Sequence, residues 1–129
     1  MRTMAVFLAA HWHNGWAVIE INGVLDAATT RELRDFATCV TAQQRHEHLI
    51  LDLSELTHAD ADGLDALMSV RALLDQDQGE LRLVCPQGRM ERLLRSSSAA
   101  SALPLYPSLD AALSAPRTVS AHRMGGALQ

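Results

Sequence analysis

The chain has 129 residues, of which 48% are apolar, 20% charged and 4% aromatic, and its formal net charge is −4. That is the mix of one ordinary globular domain, so wholesale disorder is excluded. Few aromatics and no basic run exclude a nucleic-acid surface built on base stacking or phosphate contacts, and because all eleven basic residues are arginine, chemistry needing a catalytic or P-loop lysine is excluded as well.

Val6 to Ala10 is a short apolar run, and Asn14-Gly15 after it is a hairpin-turn signal. From Trp16 to Ile21 the chain alternates: Trp16 and Val18 share one face with Glu20, and Ala17, Ile19 and Ile21 share the other. A β-hairpin is predicted, its second strand ending near Asn22-Gly23. Thr29-Thr30-Arg31-Glu32 fits a capping box, with the Thr29 hydroxyl expected to accept a helix N–H and Glu32 to reach back. Leu33, Phe36, Ala37 and Val40 then form the apolar stripe of a first helix. Leu49 to Leu53 reads as a strand buried on both faces, typical of parallel pairing.

Ser54 to Ala61 is predicted to be a loop, and a second helix to run from Asp62 to Asp75, stopped before Gly79. Glu80 to Cys85 is a further strand, with Leu81, Leu83 and Cys85 on one side. Gln87 to Arg95 is a short third helix whose Arg89, Arg92 and Arg95 form a solvated basic face. Ser96 to Ser101 is a small-residue linker, Leu103 to Tyr106 an edge strand, and Ser108 the cap of a last helix, Leu109 to Ala115. One domain over 1–116 and a frayed tail over 117–129 are expected. The architecture is α/β: a mixed sheet of four to five strands with about four helices, packed mainly on one face.

Three segments of this pattern resemble the STAS domain, the fold of bacterial anti-sigma factor antagonists that is also attached to sulfate transporters. Asn22-Gly23-Val24-Leu25-Asp26 through Glu32-Leu33-Arg34 is similar to that family's Gly-x-Leu-Asp strand end and first helix. Asp52-Leu53-Ser54 followed by Asp60-Ala61-Asp62-Gly63-Leu64 is similar to its Leu-Asp-Leu-Ser and Asp-Ser-Ser-Gly-Leu signature. Leu103 through Leu113 resembles its closing strand and helix. The resemblance spans about residues 5 to 115, and it is the order of the three segments that carries it.

In that family the second serine of Asp-Ser-Ser-Gly is phosphorylated by an anti-sigma factor of protein-kinase fold. Unphosphorylated antagonist binds that factor and frees the sigma factor. A phosphate adds about −1.5 to −2 charge to one point of the interface, which breaks the contact. Here Ala61 and Asp62 replace the two serines, so Asp62 stands at the acceptor position and no hydroxyl is available to a kinase. Two readings follow from the resemblance: Asp62 partly mimics the phosphorylated state, or the partner accepts the acid and binds without a switch. A third is purely structural, with Asp62 as the helix N-cap, worth about 1 kcal/mol over alanine.

The resemblance implies a cytoplasmic, non-enzymatic regulator that binds an anti-sigma factor of serine-kinase fold. Its partner surface would comprise Asp26, His58, Asp60, Ala61, Asp62, Gly63 and Leu64. Gly63 is expected to allow close backbone approach, and Leu64 to belong more to the core than to the surface. No cofactor, metal, nucleic acid or membrane insertion is expected, and a homo-oligomer is left open. The alternative within the family is a STAS subunit of another assembly, a transporter's cytosolic component or a multi-STAS scaffold.

Other motifs carry less. Asp60-Ala61-Asp62-Gly63 resembles the Asp-x-Asp-Gly of Mg²⁺-dependent phosphatases, but Leu64 follows where a threonine is needed. Aligned as a Ca²⁺ loop on Gly63, the first and twelfth positions would be His58 and Ser69, which leaves key ligands missing. His11 with His13, and His46 with His48, are i, i+2 pairs without the further ligands zinc needs. Trp12 and Trp16 flank the hairpin turn and are expected to pack on it. Cys39 and Cys85 lie far apart with no Cys-x-x-Cys, which predicts reduced thiols. No stretch of about 18 apolar residues exists.

Overall fold

The computed structural model describes residues 6–13, 15–44, 48–76, 79–97 and 103–116. Asn14, His46 and the predicted 117–129 tail lie outside the described residues, as does most of the small-residue linker. Among the described residues six strands and four helices alternate: β1 (Val6–His13), β2 (Trp16–Leu25), α1 (Thr30–Gln44), β3 (His48–Asp52), β4 (Leu56–Ala59), α2 (Ala61–Gln76), β5 (Glu80–Val84), α3 (Arg89–Ser96), β6 (Leu105–Tyr106) and α4 (Leu109–Ser114).

β1 and β2 form the expected antiparallel hairpin, closed at His13 and Trp16, with Gly15 at φ +87° in its turn. Every other pairing is parallel, and the sheet runs β1-β2-β3-β5-β6. β2 is longer than its apolar alternation implied, because its two halves pair with different strands. Ala17 to Glu20 pair with β3, and Gly23 to Leu25 pair with β4. The register shifts between Gly23 and Val24. Gly23 takes φ +107° there, a value glycine adopts without strain. Its N–H donates to Glu55 O at 3.1 Å, and its carbonyl accepts from the Thr57 hydroxyl at 2.8 Å. The expected loop over 54–61 therefore contains a strand. Four residues with only Leu56 and Ala59 buried carry no period-2 signal.

The alternation along β2 divides the core as predicted. Ala17, Ile19 and Ile21 face α1, α2 and α3 together with Leu49, Leu51, Leu81, Leu83 and Cys85. Trp16, Val18, Ile50 and Val84 face the opposite way, where Ala112, Leu109 and Leu113 of α4 cover them. Three helices thus lie on one face and one on the other. Gly79 donates its N–H to Leu74 O at 2.8 Å and closes the end of α2. The Ser108 side chain accepts from Ala111 N–H at 3.1 Å and caps α4. The capping box at Thr29 does not form. The Thr29 hydroxyl turns back toward β2, accepting from Asp26 N–H at 2.9 Å and donating to Val24 O at 2.9 Å.

The α4 face holds a buried arginine that composition alone does not announce. Arg82 has no exposed surface. Its guanidinium lies 4.5 Å from the Trp16 ring centroid and 5.6 Å from that of Tyr106. Nε donates to Glu80 Oε2 at 2.9 Å, Nη1 to Ala112 O, and Nη2 to Pro116 O at 2.7 Å. A cation thus meets the carbonyl end of α4, where the helix dipole favours positive charge.

The two thiols differ as their environments require. Cys39 is exposed on α1 and Cys85 is buried after β5. Burial pushes the Cys85 thiol above its ordinary value, helped by the carboxylates of Glu91 and Asp52 and opposed by Arg95. A thiol reagent at neutral pH should label Cys39 quickly and Cys85 only on unfolding, because the thiolate is the reactive form. Mass spectrometry of the folded chain after a short exposure checks this. The sign for stability follows as well. Below the unfolded value of about 8.5 the protonated Cys85 contributes fully; as pH rises from there toward the higher folded value that contribution is lost.

Candidate functional site

β2 and β4 run parallel and end together, with Leu25 opposite Ala59, so Asp26 and Asp60 leave the sheet side by side. In a parallel α/β sheet this carboxyl end of the strands, where helices begin, is the crevice in which ligands are met. Both first turns here are built by aspartates. Asp26 Oδ1 accepts from Ala28 N–H at 2.9 Å, and Asp26 O accepts from Thr29 and Thr30 N–H at 3.0 and 2.9 Å. Asp60 N–H donates to Leu25 O at 3.3 Å, tying the α2 entry to β2.

The N-cap of α2 is Asp60, not Asp62. Asp60 Oδ1 accepts from Gly63 N–H at 3.0 Å, and Asp60 O accepts from Leu64 N–H at 2.9 Å, the first bond of the helix. Asp62 stands one turn position further on, exposed. The capping explanation of Asp62 therefore falls. Asp60→Ala should cost about 1 kcal/mol of stability and Asp62→Ala less than about 0.5 kcal/mol. Paired urea titrations of the two variants check the order.

Gly63 allows the close approach expected of it. A Cβ there would lie 2.2 Å from Leu25 O, so the first turn of α2 rests on the β2 backbone. Leu64 is only 8% exposed and faces the core, as does Gly63. Of the seven residues singled out from the sequence, His58, Ala61 and Asp62 are exposed, and Asp26 and Asp60 are half-buried.

Asp62 also borders a groove that the sequence did not reveal. Ala27, Thr30 and Arg34 from the α1 side and Asp62, Asp65, Ala66 and Ser69 from α2 enclose about 320 Å³. α1 and α2 pack against each other there, and the small side chains of Ala27 and Ala66 on its lining leave the space open. One cation, Arg34, thus shares the groove with two carboxylates. On the other side of the α2 entry, a second hollow of about 510 Å³ lies between β4 and α3. It is lined by Leu56, Thr57, His58, Ala59, Arg89, Met90 and Leu93. That Arg34 lines the same groove as Asp62 and Asp65 follows from the packing of α1 on α2, which left no local signal in the sequence.

Among the described residues no group of three or more His, Cys, Asp and Glu is arranged to hold a metal ion, and no helix is long and apolar enough to cross a membrane.

Residues 8–112 match the family model for the STAS domain. The chain belongs to the STAS domain family. It is 27% identical over 94 residues to the anti-sigma F factor antagonist of Paenibacillus polymyxa, covering 73% of this chain and 80% of that one. Its fold superposes on the crystal structure of an anti-sigma factor antagonist from Mycobacterium paratuberculosis with a TM-score of 0.73. There the identity is 26%, with 84% of this chain and 91% of the other covered. A likeness of fold alone, at 15% identity and a TM-score of 0.65, extends to the murine Solute Carrier 26 family member A9 anion transporter. That match covers 87% of this chain and 22% of the transporter. As a STAS domain, the chain carries the mixed α/β sheet, and its two aspartate-built turns follow β2 and β4.

Proposed function

We propose that this STAS protein is an anti-sigma factor antagonist that binds an anti-sigma factor of serine-kinase fold and is not switched by phosphate at position 62. The observation that carries the reading is the division of labour between two aspartates. Asp60 caps α2, so Asp62 has no capping duty and presents its carboxylate to solvent beside the groove. A carboxylate offers one charge and two acceptor oxygens, against nearly two charges and three oxygens for a phosphate. It cannot be added or removed, so the contact it makes is constitutive. The binding surface in this reading is Asp26, His58, Asp60, Ala61 and Asp62, with Gly63 and Leu64 supporting it from beneath. The relatives named as anti-sigma factor antagonists supply the partner class.

Calorimetric titration against an anti-sigma factor of serine-kinase fold from the same organism tests the proposal. The native chain should bind equally with and without ATP and acquire no phosphate at position 62. Asp62→Ser should bind and then be released on phosphorylation, and Asp62→Arg should lose at least tenfold in affinity. Release of the native chain by ATP would overturn the reading, and so would identical binding by the native chain, Asp62→Ser and Asp62→Ala. The phosphatase alternative asks Asp60 to act as a nucleophile, whereas its Oδ1 already accepts the Gly63 N–H. Mg²⁺-dependent turnover lost in Asp60→Asn would favour that alternative instead.

A further inference from the structure

The α2 entry divides two surfaces of opposite character. On one side the exposed carboxylates of Asp62 and Asp65 outnumber the single cation, Arg34, in the groove shared with α1. On the other side the hollow between β4 and α3 has no carboxylate among its lining residues. Its polar members are Thr57, His58 and Arg89. Arg89 is exposed and forms no ion pair among the described residues, whereas Glu91, the acid nearest to it in sequence, is held by Arg95. The chain as a whole carries −4, so a basic hollow stands against its own net field.

The apolar part of the hollow comes from the way α3 lies on β4. Leu94 is wholly buried and anchors the helix to the core, with Met90 packed against the same cluster. Leu93, one residue off that stripe, is 38% exposed and lines the hollow with Met90 and Leu56. Arg89 and Leu93 are four residues apart, so the cation and the leucine share one face of the helix. A lone exposed leucine carries no message. A leucine and a methionine around about 510 Å³, beside an arginine with no acid of its own, do carry one. The space takes a bulky apolar side chain, and the rim takes a negative charge.

We propose that this hollow is a second anchor for the anti-sigma factor, receiving from it a bulky apolar side chain flanked by a carboxylate that pairs with Arg89. The inference rests on the function proposed above and adds to it the polarity of the contact. His58 and Ala59 line the hollow and lead directly into Asp60 and Asp62, so the two areas are continuous across the α2 entry. A partner lying over both must carry positive charge where it meets Asp62 and Asp65, and an apolar knob with negative charge where it meets α3. Turned end for end, it would oppose like charge to like at both places. The two surfaces together therefore fix the orientation of the partner, which the acidic turn alone would not.

Calorimetric titration of full-chain variants against that anti-sigma factor tests the second anchor. Arg89→Glu and Leu93→Asp should each weaken binding at least tenfold, and Arg89→Lys, which keeps the charge, less than threefold. Arg92→Glu makes the same charge change on α3 outside the lining of the hollow and should also cost less than threefold. All three positions are exposed, so thermal melts should find the variants folded, and Arg89→Glu alone carries the test if Leu93→Asp melts early. Native binding that Asp62→Arg weakens, but that neither Arg89→Glu nor Leu93→Asp changes, overturns the second anchor and leaves the proposed function standing. Equal losses from Arg89→Glu and Arg92→Glu overturn it too, because α3 would then act through its general charge and not through the hollow. A native chain that does not bind the factor at all overturns both readings.

Discussion

Arg82→Ala should lower stability by about 3–5 kcal/mol, read as a shift in the urea midpoint with an unchanged slope. The guanidinium is wholly buried, and so is nearly all of the Glu80 side chain that receives it. Alanine would leave the Glu80 carboxylate in the same dry place without the Arg82 cation, so its desolvation cost is less well offset. It would also take a donor from the Ala112 and Pro116 carbonyls, and open a void between the Trp16 and Tyr106 rings. The pair itself is not the source of stability, and this can be separated. Replacing both partners, Glu80→Leu with Arg82→Met, should recover at least about 1.5 kcal/mol of the single-variant loss, because no buried charge then remains. A double variant as unstable as Arg82→Ala would show that the carbonyl contacts to α4, not the charge balance, dominate.

Gly63→Ala is the second large effect, expected to cost about 3 kcal/mol. The added methyl would lie 2.2 Å from Leu25 O and 2.9 Å from Leu25 C, inside contact distance of backbone atoms. Leu25 cannot retreat, since it is paired with Ala59 and its carbonyl accepts from Asp60 N–H. The first turn of α2 must swing out, carrying Asp62 with it. On the proposed function, affinity for the anti-sigma factor should therefore fall along with stability, whereas Asp60→Ala should reduce stability by about 1 kcal/mol without moving Gly63 off the strand. Thermal melts and titrations of the two variants side by side distinguish displacement from loss of a cap.

Most of the fold was legible because it is written in local periodicity. The alternation from Trp16 to Ile21 sorts the two faces of β2, the stripe of Leu33, Ala37 and Val40 gives α1, and Ser108 marks the start of α4. Three things were hidden, each decided by contacts distant in sequence. β4 forms because Gly23 lets β2 change partners, not because Leu56 to Ala59 favours a strand. Thr29 follows a capping pattern, yet its hydroxyl is captured by the end of β2. Arg82 sits in an alternating strand where a charged residue reads as outward and solvated, but α4 packs over it. At the site, the acidic turn was visible and its roles were not. Which aspartate caps α2 depends on where the helix begins, and element boundaries are the least certain feature of a sequence reading.

The covering of one sheet face by a single six-residue helix has a practical corollary for shortened versions of the protein. A fragment stopping at Tyr106 would bare Trp16, Val18, Ile50 and Val84 as a greasy strip, and strand Arg82 without the carbonyls that now receive it. Such a fragment belongs in inclusion bodies, while a cut made after Pro116 spares every one of these contacts.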